Sequence, residues 1–258
     1  MTVNLAWICA HKLQQTIGIL DLDVHFGTTA LAVDREPGRG MRAALENPER
    51  LDGLLVASSM VQESDRLSIL CAEENFDTPL HFDGDASLAL MKPVAGNFDA
   101  MFIDMPRHMV GSQKRLITAA HAVVLVCDYS LAGLRDARRM RNYLKALRPD
   151  LLPITVANRT GESAFAMLDR ATFEKNLEAK IDFEIAEDIK TAKASANLGK
   201  AFAAVAPTAE VTKTLTTLAR FLIGMPEEKK KAKEGSSLFK NLLGHGGASL
   251  HKPHPKPA

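Results

Sequence analysis

At 258 residues the chain is long enough to bury a sizeable core, as one large domain or two small ones. Its 46% hydrophobic and 24% charged residues are ordinary for a soluble globular protein, and a formal charge of +1 excludes a pervasive nucleic-acid-binding surface while leaving room for a local basic patch. No apolar run approaches the roughly 20 residues that cross a bilayer, no basic segment leads into an apolar core at the N-terminus, and Cys9, Cys71 and Cys127 stand far apart without metal-ligand spacing; the expectation is a cytoplasmic protein with buried, reduced thiols.

The chain opens with TVNLAWICAHKLQQ, which reads as a helix running straight into an apolar strand, IGILDLD at 17–23. Further short apolar runs follow: LSILCA at 67–72, AMFIDM at 100–105, AVVLVCD at 122–128, LPITVAN at 152–158 and AKIDFEI at 179–185. Most are continuously apolar, the pattern of parallel strands covered on both faces. Between them lie helical patterns. Over 131–147, Leu131, Leu134, Ala137, Met140, Leu144 and Leu147 recur every three or four residues and Pro149 ends the run; Val211, Leu215, Leu218, Ala219 and Leu222 repeat the pattern over 208–223. Strands alternating with helices predict an α/β fold, a doubly wound, mostly parallel sheet with helices on both faces, over residues 1–224. The remaining 225–258 read as a charged, disordered tail in which 236–244 (SSLFKNLLG) puts Leu238, Phe239, Leu242 and Leu243 on one helical face behind Lys229, Lys230, Lys231 and Lys233. That segment is either a small membrane-surface or partner helix or a weakly structured tail.

Three strand ends carry chemistry. FIDMPRH at 102–108 ends an apolar strand in Asp104 before a proline turn, where ligands bind in open α/β sheets. A carboxylate there can hold the water shell of a phosphate-bound Mg²⁺, or it can cap a helix near 111–121. In LDLDVHFG at 20–27, period-two alternation puts Asp21 and Asp23 on one side of a strand end. One can then face a metal while the other orients a water toward a γ-phosphate; the alternative is a pair of solvated turn aspartates. In VANRTG at 156–161, the amide of Asn158 can both donate to and accept from an adenine edge, or form an Asx turn. His25 and His108 sit beside the aspartates without the helical spacing of a metal pair, and Trp7 reads as core.

Together and in this order, these motifs resemble the MinD/ParA family of ATPases, and within it the CpaE/TadZ pilus-assembly branch. The NLAW opening, LDLDVHFGTTAL, ALENPERLD at 44–52, the DMPR turn and the ANR strand end all resemble that branch, and the likeness covers residues 3–224. It implies ATP and Mg²⁺ as cofactors and a homodimer that acts as a spatial regulator of pilus secretion machinery. It implies a position peripheral to the inner membrane or at a cell pole, with the tail as a membrane contact. By resemblance Asp23 positions the hydrolytic water and Asp21 precedes it, Asp104 lies near Mg²⁺, and Asn158 contacts adenine. Asp182 falls in the stretch near base and ribose, although Lys180-Ile181 stands where the family often has a proline. Family members carry a glycine-rich phosphate loop immediately before the NLAW helix. Gly199-Lys200 is not such a loop, having Ala194 and Ala201 where glycine and Ser/Thr belong. The expectation is therefore that the loop and its strand lie upstream of Met1, and that these 258 residues bind ATP poorly. Without that strand, the sheet is left with a gap or must re-pair across it. A nucleotide-independent scaffold, or a ParA-type partition ATPase that meets DNA through Arg135, Arg138, Arg139 and Arg141, are the alternatives; no specific nucleic acid is otherwise expected.

Overall fold

The computed structural model describes residues 1–47, 52–77, 79–161 and 168–226. The opening helix forms as expected: α1 (Thr2–Trp7) continues as a π-helical turn over Ile8–Lys12, and Gln14, at φ +58°, turns the chain toward the first strand. Leu5, Ala6, Ile8, Cys9 and Ala10 are buried, so the helix is anchored by packing more than by capping, which it lacks at Met1. Trp7 packs at the edge of this core with its ring stacked on His11, 4.4 Å between centroids.

The expected strands exist, but they are organised as two sheets. In the first, β1 (Ile17–Asp21) lies between β3 (Leu67–Leu70) and β4 (Ala100–Asp104), parallel to both. A strand that the apolar pattern does not reveal, β2 (Val61–Ser64), adds antiparallel to β3 and gives the order β2-β3-β1-β4. Its sequence, VQES, is polar and half-exposed, as suits an edge. The second sheet is parallel, with order β5-β6-β7: β5 (Val124–Cys127), β6 (Ile154–Thr160) and β7 (Phe183–Ala186).

Helices fill the connections: α2 (Met41–Glu46), α3 (Gly53–Ser59), α4 (Gly84–Met91), α5 (Lys114–Ala119), α6 (Leu131–Leu147), α7 (Arg170–Leu177), α8 (Ile189–Leu198), α9 (Phe202–Val205) and α10 (Glu210–Leu222). β1 shows why both faces are covered. Ile17 and Ile19 join a cluster built from α1, α10 and the strands, whereas Leu20 points to the opposite face, into a cluster with Met41, Leu45 and Leu90. A third cluster, around the fully buried Phe173, packs α6 and α7 on β5 and β6. Burying a phenylalanine of this kind contributes up to about 3 kcal/mol.

Several strands are shorter than their apolar runs. Leu22, Cys71 and Ala72 lie beyond the strand ends but stay buried, so core packing, not sheet pairing, accounts for those residues. Pro153 lacks an N–H, and β6 starts just after it and runs on through Thr160.

On α6 the arginines are largely committed within the fold. Arg135 pairs with Asp136, Arg138 with Glu178, and Arg141 donates to Thr155 Oγ1 and the Pro153 carbonyl. Of the tail, the charged stretch after Pro226 and the amphipathic segment 236–244 lie outside the described residues, as do 48–51 of the 44–52 segment. Among the described residues no helix is long and apolar enough to cross a membrane.

Candidate functional site

The C-terminal ends of β1 and β4 form one edge of the first sheet, and two of the predicted aspartates meet there. Asp21 ends β1 and Asp104 ends β4, and the two are direct register partners. Their environments differ. Asp21 is 2% exposed, whereas Asp104 is exposed and accepts from Thr2 Oγ1 at 3.2 Å. Burial pushes the Asp21 carboxyl above the ordinary aspartate range, and the charge of Asp104 adds to the rise. Donors oppose it: the Asp23 N–H reaches Oδ1 at 3.0 Å, and the Thr29 hydroxyl reaches Oδ2 at 2.8 Å.

The loop after β1 is folded around that carboxylate. Gly27 donates its N–H to the Asp23 carbonyl at 2.8 Å. A Cβ on Gly27 would sit 2.4 Å from that oxygen and 2.6 Å from Asp21 Oδ2, so only glycine allows this approach. Asp23 is not on the strand, which stops at Asp21. Its carboxylate caps the turn by accepting from Phe26 N at 3.0 Å, so period-two alternation does not relate the two aspartates. The sequence pattern singled out neither Thr29 nor Gly27 as a partner of Asp21, because the contact is made by the path of the loop.

Asn158 lies toward the C-terminal end of β6 in the second sheet, opposite Ile185 of β7. Its side-chain amide has no hydrogen-bond partner among the described residues, which leaves both its donors and its acceptor open to a ligand. Asp104 caps no helix either, since α5 begins after Gln113.

Asp182 is placed elsewhere. It precedes β7 and accepts from Thr155 N at 2.7 Å, near the start of β6, at the opposite end of the strands. The apolar run 179–185 places the strand too early: β7 is Phe183–Ala186, so the residues that reach the carboxylate edge after it are Glu187 and Asp188. Asp188 caps α8 by accepting from Thr191 N. After β5, Asp128 accepts from Ser130 Oγ at 2.5 Å and Arg159 at 3.2 Å, contacts that hold its carboxyl below the usual range, with the Ser130 hydroxyl first among the causes.

Among the described residues no three His, Cys, Asp or Glu side chains are grouped to hold a metal directly. The exposed Asp104 carboxylate and the Thr2 hydroxyl beside it are hard oxygen donors that fit a hydrated Mg²⁺ held through its water shell. His25, His81 and His108 instead line a cavity of about 830 Å³ whose wall includes Asp23, Leu45 and Phe82. Gly199-Lys200 is no phosphate cradle: Gly199, at φ +55°, is the C-cap of α8 and is packed against Asp34.

No family model matches the sequence, and no curated protein matches it. Solved structures do match the fold. A ParA family ATPase from Chlorobium tepidum TLS superposes with a TM-score of 0.74 at 17% identity, covering 84% of this chain and 91% of that one. The MinC:MinD cell division protein complex of Aquifex aeolicus gives 0.70 at 19% identity, over 89% and 92%. The septum site-determining protein MinD of Pyrococcus horikoshii OT3, complexed with Mg-ADP, gives 0.68 at 13% identity, over 86% and 88%. The chain therefore has the α/β fold of ParA- and MinD-type ATPases.

Proposed function

We propose that this chain is the body of a MinD/ParA-type, nucleotide-dependent spatial regulator of the CpaE/TadZ pilus-assembly branch. The observation that carries the reading is the pairing of Asp21 with Asp104 at the ends of adjacent parallel strands, in the fold of such ATPases. Asp104 holds the hydrated Mg²⁺ and Asn158 meets the adenine. Asp23 orients the hydrolytic water, and Asp21, buried and fully engaged, positions the Asp23 loop. The Mg-ADP held by the Pyrococcus horikoshii neighbour supports ATP and Mg²⁺ as the cofactors. Asp182 is given no part in it. The partners in this reading are a second copy of the chain and pilus secretion machinery at the inner membrane, with the tail as membrane contact.

The motif likeness that selects the pilus branch covers NLAW, LDLDVHFGTTAL, DMPR and ANR. Three of the four α6 arginines of the DNA-partition alternative, Arg135, Arg138 and Arg141, are tied to Asp136, Glu178 and Thr155, which weakens that alternative. No described residue is assigned to the phosphates, so these 258 residues bind Mg-ATP weakly by themselves. Calorimetry tests this: weak, Mg²⁺-dependent binding that Asp104→Asn and Asn158→Ala abolish is expected. Unaltered binding by both variants overturns the site. Deletion of the gene in its own cells should stop assembly of surface pili; normal pili would overturn the pilus assignment.

A further inference from the structure

The cavity of about 830 Å³ beside the Asp23 loop is of the size that takes a small organic molecule, and its lining sets the chemistry of what fits. Its walls come from the loop after β1, the end of α2, the segment 79–83 that leads into α4, and the turn after β4. The apolar part includes Leu22, Leu45, Leu80 and Phe82. The charged part is acidic throughout: Asp23, Glu46 and Asp83 line the cavity, and among the described residues no lysine or arginine does.

These carboxylates are not equally engaged. Glu46 is paired with Arg42 at 3.0 Å, and outside the cavity Asp85 has Arg115 at 3.1 Å. Asp23 and Asp83 make no ion pair among the described residues. Each accepts only backbone N–H groups and only through Oδ1, Asp23 from Phe26 and Asp83 from Asp85 and Ala86, so both Oδ2 atoms stay open. An anion placed here would meet two carboxylates and no cation, a desolvation cost with nothing to offset it; a cation would meet two counter-charges. His25, His81 and His108 add ring nitrogens that hydrogen-bond to no other described residue, and a neutral imidazole offers one of them as an acceptor.

The rim points the same way. His25 stacks on Phe76 with 6.5 Å between centroids, and Phe76 on Phe26 with 5.2 Å. Phe26 and Phe76 are 72% and 70% exposed, so an aromatic ladder starts at the cavity wall and runs out into solvent. Aromatic faces attract cations and do not attract anions. Open carboxylates, acceptor imidazoles, ring faces and an apolar wall together form the recognition chemistry of an ammonium group on an apolar body.

We propose that this cavity is a binding site for a small organic ammonium ion, its charge answered by the carboxylates of Asp23 and Asp83 and its apolar body lying against Leu45, Leu80 and Phe82. Because the Asp23 loop and the turn after Asp104 both wall the cavity, an occupant touches the two segments that flank the carboxylate edge. The proposal rests on the lining of the cavity, not on nucleotide binding or a role in pili.

Nuclear magnetic resonance titration of the full 258-residue chain near neutral pH tests it, with 2-phenylethylamine as the probe and 2-phenylethanol, 3-phenylpropionate and spermidine as comparisons. The amine should bind with a Kd of about 1 mM or tighter and shift the ring signals of His25, His81 and His108, leaving those of His11 and His121 in place. The alcohol and the carboxylate, which match its shape without its charge, should bind at least about tenfold more weakly, a difference of about 1.4 kcal/mol. Asp83→Asn keeps the cap of α4 and removes the charge, and should weaken the amine about tenfold with the urea midpoint unchanged. Amine binding that shifts none of the three imidazoles, or no amine binding at all, overturns the proposal. So does a carboxylate that binds as well as the amine, or an Asp83→Asn chain with unaltered affinity. Spermidine has more charge and no compact apolar body; equal binding by it would reduce the effect to counter-ion attraction and refute the site. The comparison of the four probes on the parent chain stands even if Asp83→Asn fails to fold.

Discussion

Replacing Thr29 with valine keeps the shape of a side chain that is 3% exposed but removes the hydroxyl that donates to Asp21 Oδ2 at 2.8 Å. Because the shapes match, almost no cavity forms, and the main loss is the hydrogen bond to a buried carboxylate, beside a weaker contact with the Cys71 thiol. Such bonds contribute about 1.5–3 kcal/mol when the acceptor is charged and about 0.5–1.5 kcal/mol when it is neutral. Asp21 can be either, and burial already pushes it upward from its ordinary value. The folded carboxyl thus holds its proton more tightly than the unfolded one. Its contribution to stability is full below the unfolded pKa and is lost as pH rises through the folded value. Thr29→Val removes support from the charged form, moves the folded value further up and deepens that loss. Urea denaturation followed by Trp7 fluorescence should show a cost of about 2 kcal/mol near neutral pH that falls by about half near pH 4, and a similarly reduced cost in an Asp21→Asn background. An equal cost at both pH values and in both backgrounds would refute the claim that Thr29 stabilises a charged Asp21.

Other outcomes follow from the same geometry. Gly27→Ala forces a Cβ against the Asp23 carbonyl and the Asp21 carboxylate, and denaturation should show a loss of about 1–3 kcal/mol, with the exposed neighbour Thr28→Ala near neutral. Asn158→Ala should leave stability within about 0.5 kcal/mol of the parent while weakening nucleotide binding. Asp182→Ala strands the Thr155 N–H and should cost about 1–3 kcal/mol with nucleotide affinity unchanged; the reverse pattern in calorimetry and denaturation would exchange their roles. Burial pushes the Cys9 thiol up to about 12 and Cys127 to about 11, and raises Cys71 as well. At pH 8 a disulfide reagent should therefore modify the native thiols slowly and all three rapidly once urea is added.

Much of this molecule was legible in one dimension because its signals are local. An apolar run with helical spacing buries one face wherever it lies, so α6 falls over 131–147 as its leucines predict, and α10 lies within the predicted 208–223. The apolar runs at 17–23 and 100–105 predicted parallel strands with carboxylates at their C-terminal ends, since the strand period and its cover are written in neighbouring residues, although β1 stops at Asp21 and leaves Asp23 in the loop. Asp182 was misplaced because an apolar run does not say which of its residues are hydrogen-bonded and which are merely buried; Ile181 is buried outside the strand. Strand β2 escaped because an edge strand needs no apolar pattern. The partnership of Asp21 with Thr29 and Gly27 depends on how the loop folds back over the strand end. Composition and periodicity thus determined which segments are strands and helices and which faces they bury. Tertiary structure decided which strand ends meet, and which aspartate is buried and which stays open, because those depend on contacts between residues far apart in the chain.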